Sequence, residues 1–173
     1  THNNINFINQ TTMDFNKLIP DFSAFGKTEW NKPCLDTQDK LHLGGLVCAA
    51  LLVIFVFIPW FSVDGPGSAD GSRLGITLWY GIIAFLGALI GAYGMLYKNY
   101  QFAFWGAAIV LLMAIIGLFV VPGIEVGKAE LTSSEVKEMI KFPSVSVSRI
   151  GAILALIASL GLGACSYLKI NNK

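Results

Sequence analysis

From about residue 40 onward, long apolar stretches alternate with short polar ones. Four of the apolar runs, at about 43–61, 76–97, 102–121 and 150–168, reach the ~20 residues a helix needs to cross the hydrocarbon core of a bilayer. No Asp, Glu, Lys, Arg or His falls inside any of them. A soluble core can supply one or two such runs, but four in a chain of 173 residues leave too little polar sequence to cover them. In lipid, helices are favoured because they satisfy their own backbone hydrogen bonds. The expected fold is an all-α membrane protein, a four-transmembrane-helix up-down bundle over 42–173, preceded by a polar N-terminal tail over 1–41. Because polar residues precede the first run where a basic region would stand, that run reads as a retained helix and not as a cleaved signal peptide. A chain starting at Thr1 without Met is expected to have been processed.

The polar stretches carry their own patterns. The first outer loop, 62–75, is dense in turn formers around Asp64-Gly65-Pro66-Gly67 and Asp70-Gly71. In the second, 122–149, Thr132 and Glu135 stand at capping-box spacing ahead of Val136, Met139 and Ile140, which predicts a short amphipathic helix. The following Ser144-Val145-Ser146-Val147-Ser148 alternates as a strand does and can pair with Trp60-Phe61-Ser62-Val63. Together these predict a small extramembrane cap, a helix and a β-pair, on one side of the bundle. Trp60, Phe61, Trp79 and Tyr80 are expected to form an aromatic belt on that side. Tyr97, Tyr100, Trp105 and Tyr167 would form the opposite belt.

With both termini inside, seven lysines lie on the inner side against five basic residues on the outer. That asymmetry points weakly to cytoplasmic termini, and the compact size suits a bacterial plasma (inner) membrane.

Because lipid tails are as apolar as Leu, helices in a bilayer associate where small residues allow close approach. Gly87, Gly91 and Gly94 line one face of the second run, and Ala155, Ser159 and Gly163 mark a stripe on the fourth. These six are the candidate helix-packing or partner interface. The stripes either hold one protomer together or face another subunit. In the tail, Phe15, Phe22, Phe25 and Trp30 are candidate anchors, for a partner or for the lipid interface.

Composition agrees with the pattern. Charged residues make up 13% of the chain where soluble domains average about 25%, and the mean hydropathy is +0.63. A formal net charge of +1 and the lack of a basic stripe argue against a nucleic-acid partner.

Chemistry is harder to find. A pump or proton carrier needs ionisable groups within its spans, and there are none. Haem held in a bundle needs axial ligands such as His on its helices; the histidines are His2 in the tail and His42 at the edge of the first run. Cys34, Cys48 and Cys165 form no CxxC motif, the usual signature of thiol redox chemistry, although Cys48 and Cys165 sit at similar depth in the first and last runs. Asp39 stands three residues before His42, a spacing that suits a structural contact. No catalytic, cofactor-binding or metal-ligating residue is assigned. The expected partners are the lipid bilayer and other membrane subunits. The reading that follows is a non-catalytic integral membrane subunit that assembles with or stabilises a larger membrane complex. The alternatives are a homo-oligomeric pore, with Thr77 and Ser159 as lining candidates, and a lipid- or quinone-associated membrane subunit.

Overall fold

The structure, a computed structural model, describes residues 18–19, 39–64, 71–126, 129–141 and 146–171. It is mostly helical. Three helices are long and apolar enough to cross a membrane: α2 (Trp79–Leu96), α3 (Tyr100–Phe119) and α5 (Ile150–Asn171). A shorter apolar helix, α1 (Lys40–Phe55, 16 residues), precedes them. Between the helices lie β1 (Pro59–Asp64), β2 (Gly71–Leu74), β3 (Ile124–Val126), β4 (Ala129–Leu131), the short helix α4 (Ser133–Ile140) and β5 (Ser146–Ser148).

The first apolar run is therefore not a single helix over 43–61. Asp39 caps α1 at its start, its carboxylate accepting from the His42 backbone N–H at 3.2 Å. At the other end, Phe57 and Ile58 close back on the carbonyls of Ile54 and Phe55 in tight turns, and Pro59 follows. Proline offers no N–H to a helix and drives the residue before it out of helical geometry. Trp60 and Phe61 consequently belong to β1.

The segments between the helices hold more strand than the single β-pair expected, so the fold is mostly helical and not all-α. A three-stranded antiparallel sheet has the order β2-β1-β5. The pair expected from alternation is present, with Ser62 opposite Ser148 and Val63 opposite Val147. On the other side of β1, Ser62 also faces Ser72, and the register shifts between Pro59 and Phe61. A hairpin, β3-β4, aligns Ile124 with Leu131; it is too short to leave a periodic signature. Glu135 accepts from the Thr132 N–H at 2.7 Å and from its hydroxyl at 2.8 Å, the capping contact that starts α4. Phe61, Val63 and Val136 form a small core beneath the cap, with Val121, Leu131, Ile140 and Val147 around it.

In the helical part the sizes of inner and outer side chains are inverted relative to a water-soluble protein. The buried faces are dominated by small residues: Ala49, Ala84, Ala88, Ala103, Ala107, Ala114, Ala152 and Ala155, with a few larger ones such as Leu52, Val110 and Leu162. The outward faces carry Ile82, Leu86, Leu112, Phe119 (81% exposed), Ile153 and Ile157 (60% exposed). Water would penalise every exposed one at roughly 25 cal/mol per Å², whereas lipid tails solvate them. Small residues inside are what close helix approach requires.

The helices pack α1 on α5 and α2, and α3 on α2 and α5. A tight turn joins α2 to α3, with Lys98 in the left-handed region at φ 54°, so the two helices are antiparallel neighbours.

Candidate functional site

Three regions gather the residues that sequence singled out: the helix seams, the polar end of the bundle and the cap end.

All six residues of the small stripes face inward. A Cβ on Gly87 would meet Ile109 Cγ2 at 2.8 Å and the Gly106 carbonyl at 3.2 Å, and one on Gly94 would enter the backbone of Ala103 and Asn99. Both glycines thus seat α2 on α3. A Cβ on Gly91 would meet Leu162 of α5 at 2.9 Å, and one on Gly163 would touch Ala107 of α3 at 3.7 Å. Ala155 is fully buried and Ser159 nearly so. The Ser159 hydroxyl donates to the Leu156 carbonyl within its own helix at 2.8 Å. Thr77, the other lining candidate, donates to the Leu74 carbonyl at 2.8 Å and stays in the turn before α2. The stripes join α2, α3 and α5 of one chain, and their surfaces are filled by that chain.

At the polar end, the start of α1 meets the end of α5 and the start of α3. Lys169 donates to the Asp39 carboxylate. That contact, with the backbone N–H groups of His42 and Leu41, holds the Asp39 carboxyl below its ordinary 3.8. His42, read from sequence as an interfacial polar residue, is completely buried. Its Nδ1 lies 3.4 Å from the Tyr100 hydroxyl, with the two rings edge to face. Beside it the Ser166 hydroxyl donates to the Leu162 carbonyl at 2.8 Å and lies 3.8 Å from Met95 Sδ. One tail residue is anchored here: the Trp105 indole N–H donates to the Leu18 carbonyl at 2.8 Å, and Leu18 is buried. The candidate tail anchors Phe15, Phe22, Phe25 and Trp30 lie outside the described residues.

The cap end is built on Trp60. Of the four aromatic residues expected at this end, Trp60, Phe61 and Tyr80 are buried within the protein and Trp79 is exposed. The Trp60 indole N–H donates to the Phe55 carbonyl at 2.9 Å. Glycines 75, 117 and 151 leave room for its ring, since a Cβ on any of them would come within 3.1 Å of it. Tyr80 lies beside it, ring centroids 6.0 Å apart, its hydroxyl buried and without a hydrogen-bond partner among the described residues. Outside this plug the Arg149 guanidinium sits 5.5 Å over the Phe61 ring, and Arg73 Nε donates to the Gly123 carbonyl at 3.1 Å.

Among the described residues no group of three or more His, Cys, Asp or Glu side chains converges in a way that could hold a metal ion.

No protein-family model matches the chain, and comparison with curated proteins and with solved structures gave no match.

Sequence reasoning missed the Asp39–Lys169 and His42–Tyr100 contacts, whose partners lie 130 and 58 positions apart. The available signal was an acidic cap at the head of one apolar helix and a lysine in the last turn of another. Antiparallel neighbours bring two such ends together.

Proposed function

We propose that this chain is a non-catalytic integral membrane subunit that crosses the bilayer four times and assembles with other membrane proteins into a larger complex. The inverted size pattern carries the membrane part of this reading. Small side chains fill the inward faces, and large apolar ones cover the outside of all four apolar helices.

A fourth crossing by α1 is supported by what holds its two ends. Its start is tied by Asp39 to Lys169 and by His42 to Tyr100. At its finish Phe55 receives the Trp60 indole N–H, and β1 enters the sheet with β5. A helix fixed at both ends of the bundle runs through the same thickness as its neighbours. The termini are assigned to the cytoplasmic side of a bacterial plasma membrane, on the lysine asymmetry of the loops.

The subunit assignment rests on where the side chains are spent. The small-residue seams are used up within the protomer, and the serine hydroxyls along them are satisfied locally. What remains to meet partners is the broad apolar outer faces and the cap, together with the aromatic tail known from the sequence alone. The deciding measurement is the mass of the full-length protein extracted in gentle detergent. The expected result is a stoichiometric complex with other membrane polypeptides. A monodisperse single protomer, extracted under conditions that keep known complexes of the same membrane intact, would overturn the assignment.

A further inference from the structure

The search for redox motifs along the sequence finds no CxxC, but the fold places two thiols across a helix seam. On α1, Gly44 precedes Cys48 by four residues; on α5, Gly161 precedes Cys165 by four. The two pairs interlock. A Cβ on Gly161 would stand 2.9 Å from Cys48 Sγ, and one on Gly44 would stand 3.6 Å from Cys165 Sγ. Each sulfur therefore fills the gap left by a glycine of the opposite helix, and the two contacts repeat one turn apart.

Three physical consequences follow. The glycines bring the two helix axes close together at this level. The Cα levels of the two cysteines differ by about one turn, ~5.4 Å. Helical side chains tilt toward the N-terminus of their own helix, and α1 and α5 run in opposite directions, so the two sulfurs lean toward each other. Both are free thiols and half-buried, at the rim of the seam, where a molecule dissolved in the lipid phase has access. Salts, charged oxidants and glutathione are excluded from that phase.

We propose that Cys48 and Cys165 form a reversible dithiol–disulfide pair, oxidised by a lipid-soluble quinone, that staples α1 to α5. The step balances. Two S–H bonds break and one S–S bond forms, and the two electrons and two protons pass to the quinone carbonyl oxygens, giving the hydroquinone. A dithiol reductant reverses it. The bridge requires the Cα atoms to come within about 7 Å, an approach that the two facing glycines favour. It would lock the shortest apolar helix to the longest. This inference rests on the membrane reading above, since the quinone reaches the seam through lipid, and not on the subunit assignment.

The test uses the full-length Cys34→Ser protein in liposomes, which leaves Cys48 and Cys165 as its only thiols. The oxidant is duroquinone, whose fully substituted ring oxidises thiols but offers no free carbon for thiol addition. Maleimide labelling after denaturation should show both thiols lost together. The intact mass should fall by two hydrogens, and dithiothreitol should restore both thiols. Cys48→Ser or Cys165→Ser in the same background should keep its single thiol throughout. The pairing is overturned if both thiols still titrate after duroquinone and after diamide, or if the disulfide joins two chains. If diamide closes the bridge and duroquinone does not, the assignment of a quinone as oxidant is overturned.

Discussion

At Gly94 an added methyl group would run into backbone atoms, the Ala103 nitrogen and, at 2.8 Å, the Asn99 carbonyl. Neither can rotate away, so α2 and α3 would have to part beside their short connecting turn. At Gly163 the same methyl would meet Ala107 Cβ at 3.7 Å, an ordinary contact. Gly94→Ala should therefore cost about 1–3 kcal/mol by overpacking. Gly163→Ala should be neutral or gain up to ~1 kcal/mol from helix preference. Thermal unfolding of the two variants in one detergent compares them directly. Asp39 offers a second residue-level expectation. Its carboxyl is held below 3.8, first by the Lys169 ammonium and then by backbone N–H groups. A depressed folded-state value means that the stabilising contribution is present above about pH 4 and is lost as pH falls through that lower value. Asp39→Asn should lower the melting temperature at neutral pH, and the gap to the unmodified protein should close in strong acid. A gap that stays constant across the acid range would sink this account.

The elements show which signals a sequence carries and which it does not. Local ones were legible. Thr132 and Glu135 marked the start of α4, and the Ser-Val alternation marked β5 and its pairing with β1. The boundary of the first apolar helix was not, because Val56, Ile58, Trp60 and Phe61 are as hydrophobic as the helix before them. The decision lies in Pro59 and in the room that three glycines distant in sequence leave around the Trp60 ring. The burial of Tyr80 was not legible for a related reason: amphipathic rings favour interfaces on average, but here the ring packs beside Trp60. The glycine stripes announced close packing without naming the partner helix, since register between helices is a property of the assembled bundle. One prediction belongs to α4. Its first turn depends on the Glu135 carboxylate accepting from Thr132, contacts that also hold that carboxyl below its ordinary value. Glu135→Ala should speed amide hydrogen exchange at Val136 and its neighbours and leave the protection of α2, α3 and α5 unchanged.

For the whole molecule, the two ends of the bundle differ in kind. One is polar and ion-paired, with Asp39, His42, Tyr100 and Lys169; the other is covered by a sheet, a hairpin and a helix. The proposed four crossings would put these ends on opposite sides of the membrane. In a chain without native cysteines, Lys40→Cys and Ser72→Cys should react with an impermeant maleimide from opposite sides of a sealed vesicle. Labelling of both from the same side would mean that α1 does not cross.

The unequal helix lengths have a consequence for the surrounding lipid. At 1.5 Å per residue, the 16 residues of α1 make a column of about 24 Å, and the 22 of α5 one of about 33 Å. Yet the two are fastened to each other near the polar end, and the chain beyond each enters the same sheet. If α1 crosses the bilayer as proposed, α5 tilts or extends past the hydrocarbon and the acyl chains beside α1 shorten to meet it, a hydrophobic mismatch confined to one flank. Reconstituted in a series of phosphatidylcholines differing only in tail length, the protein should resist unfolding best in a bilayer thinner than α5 alone would choose.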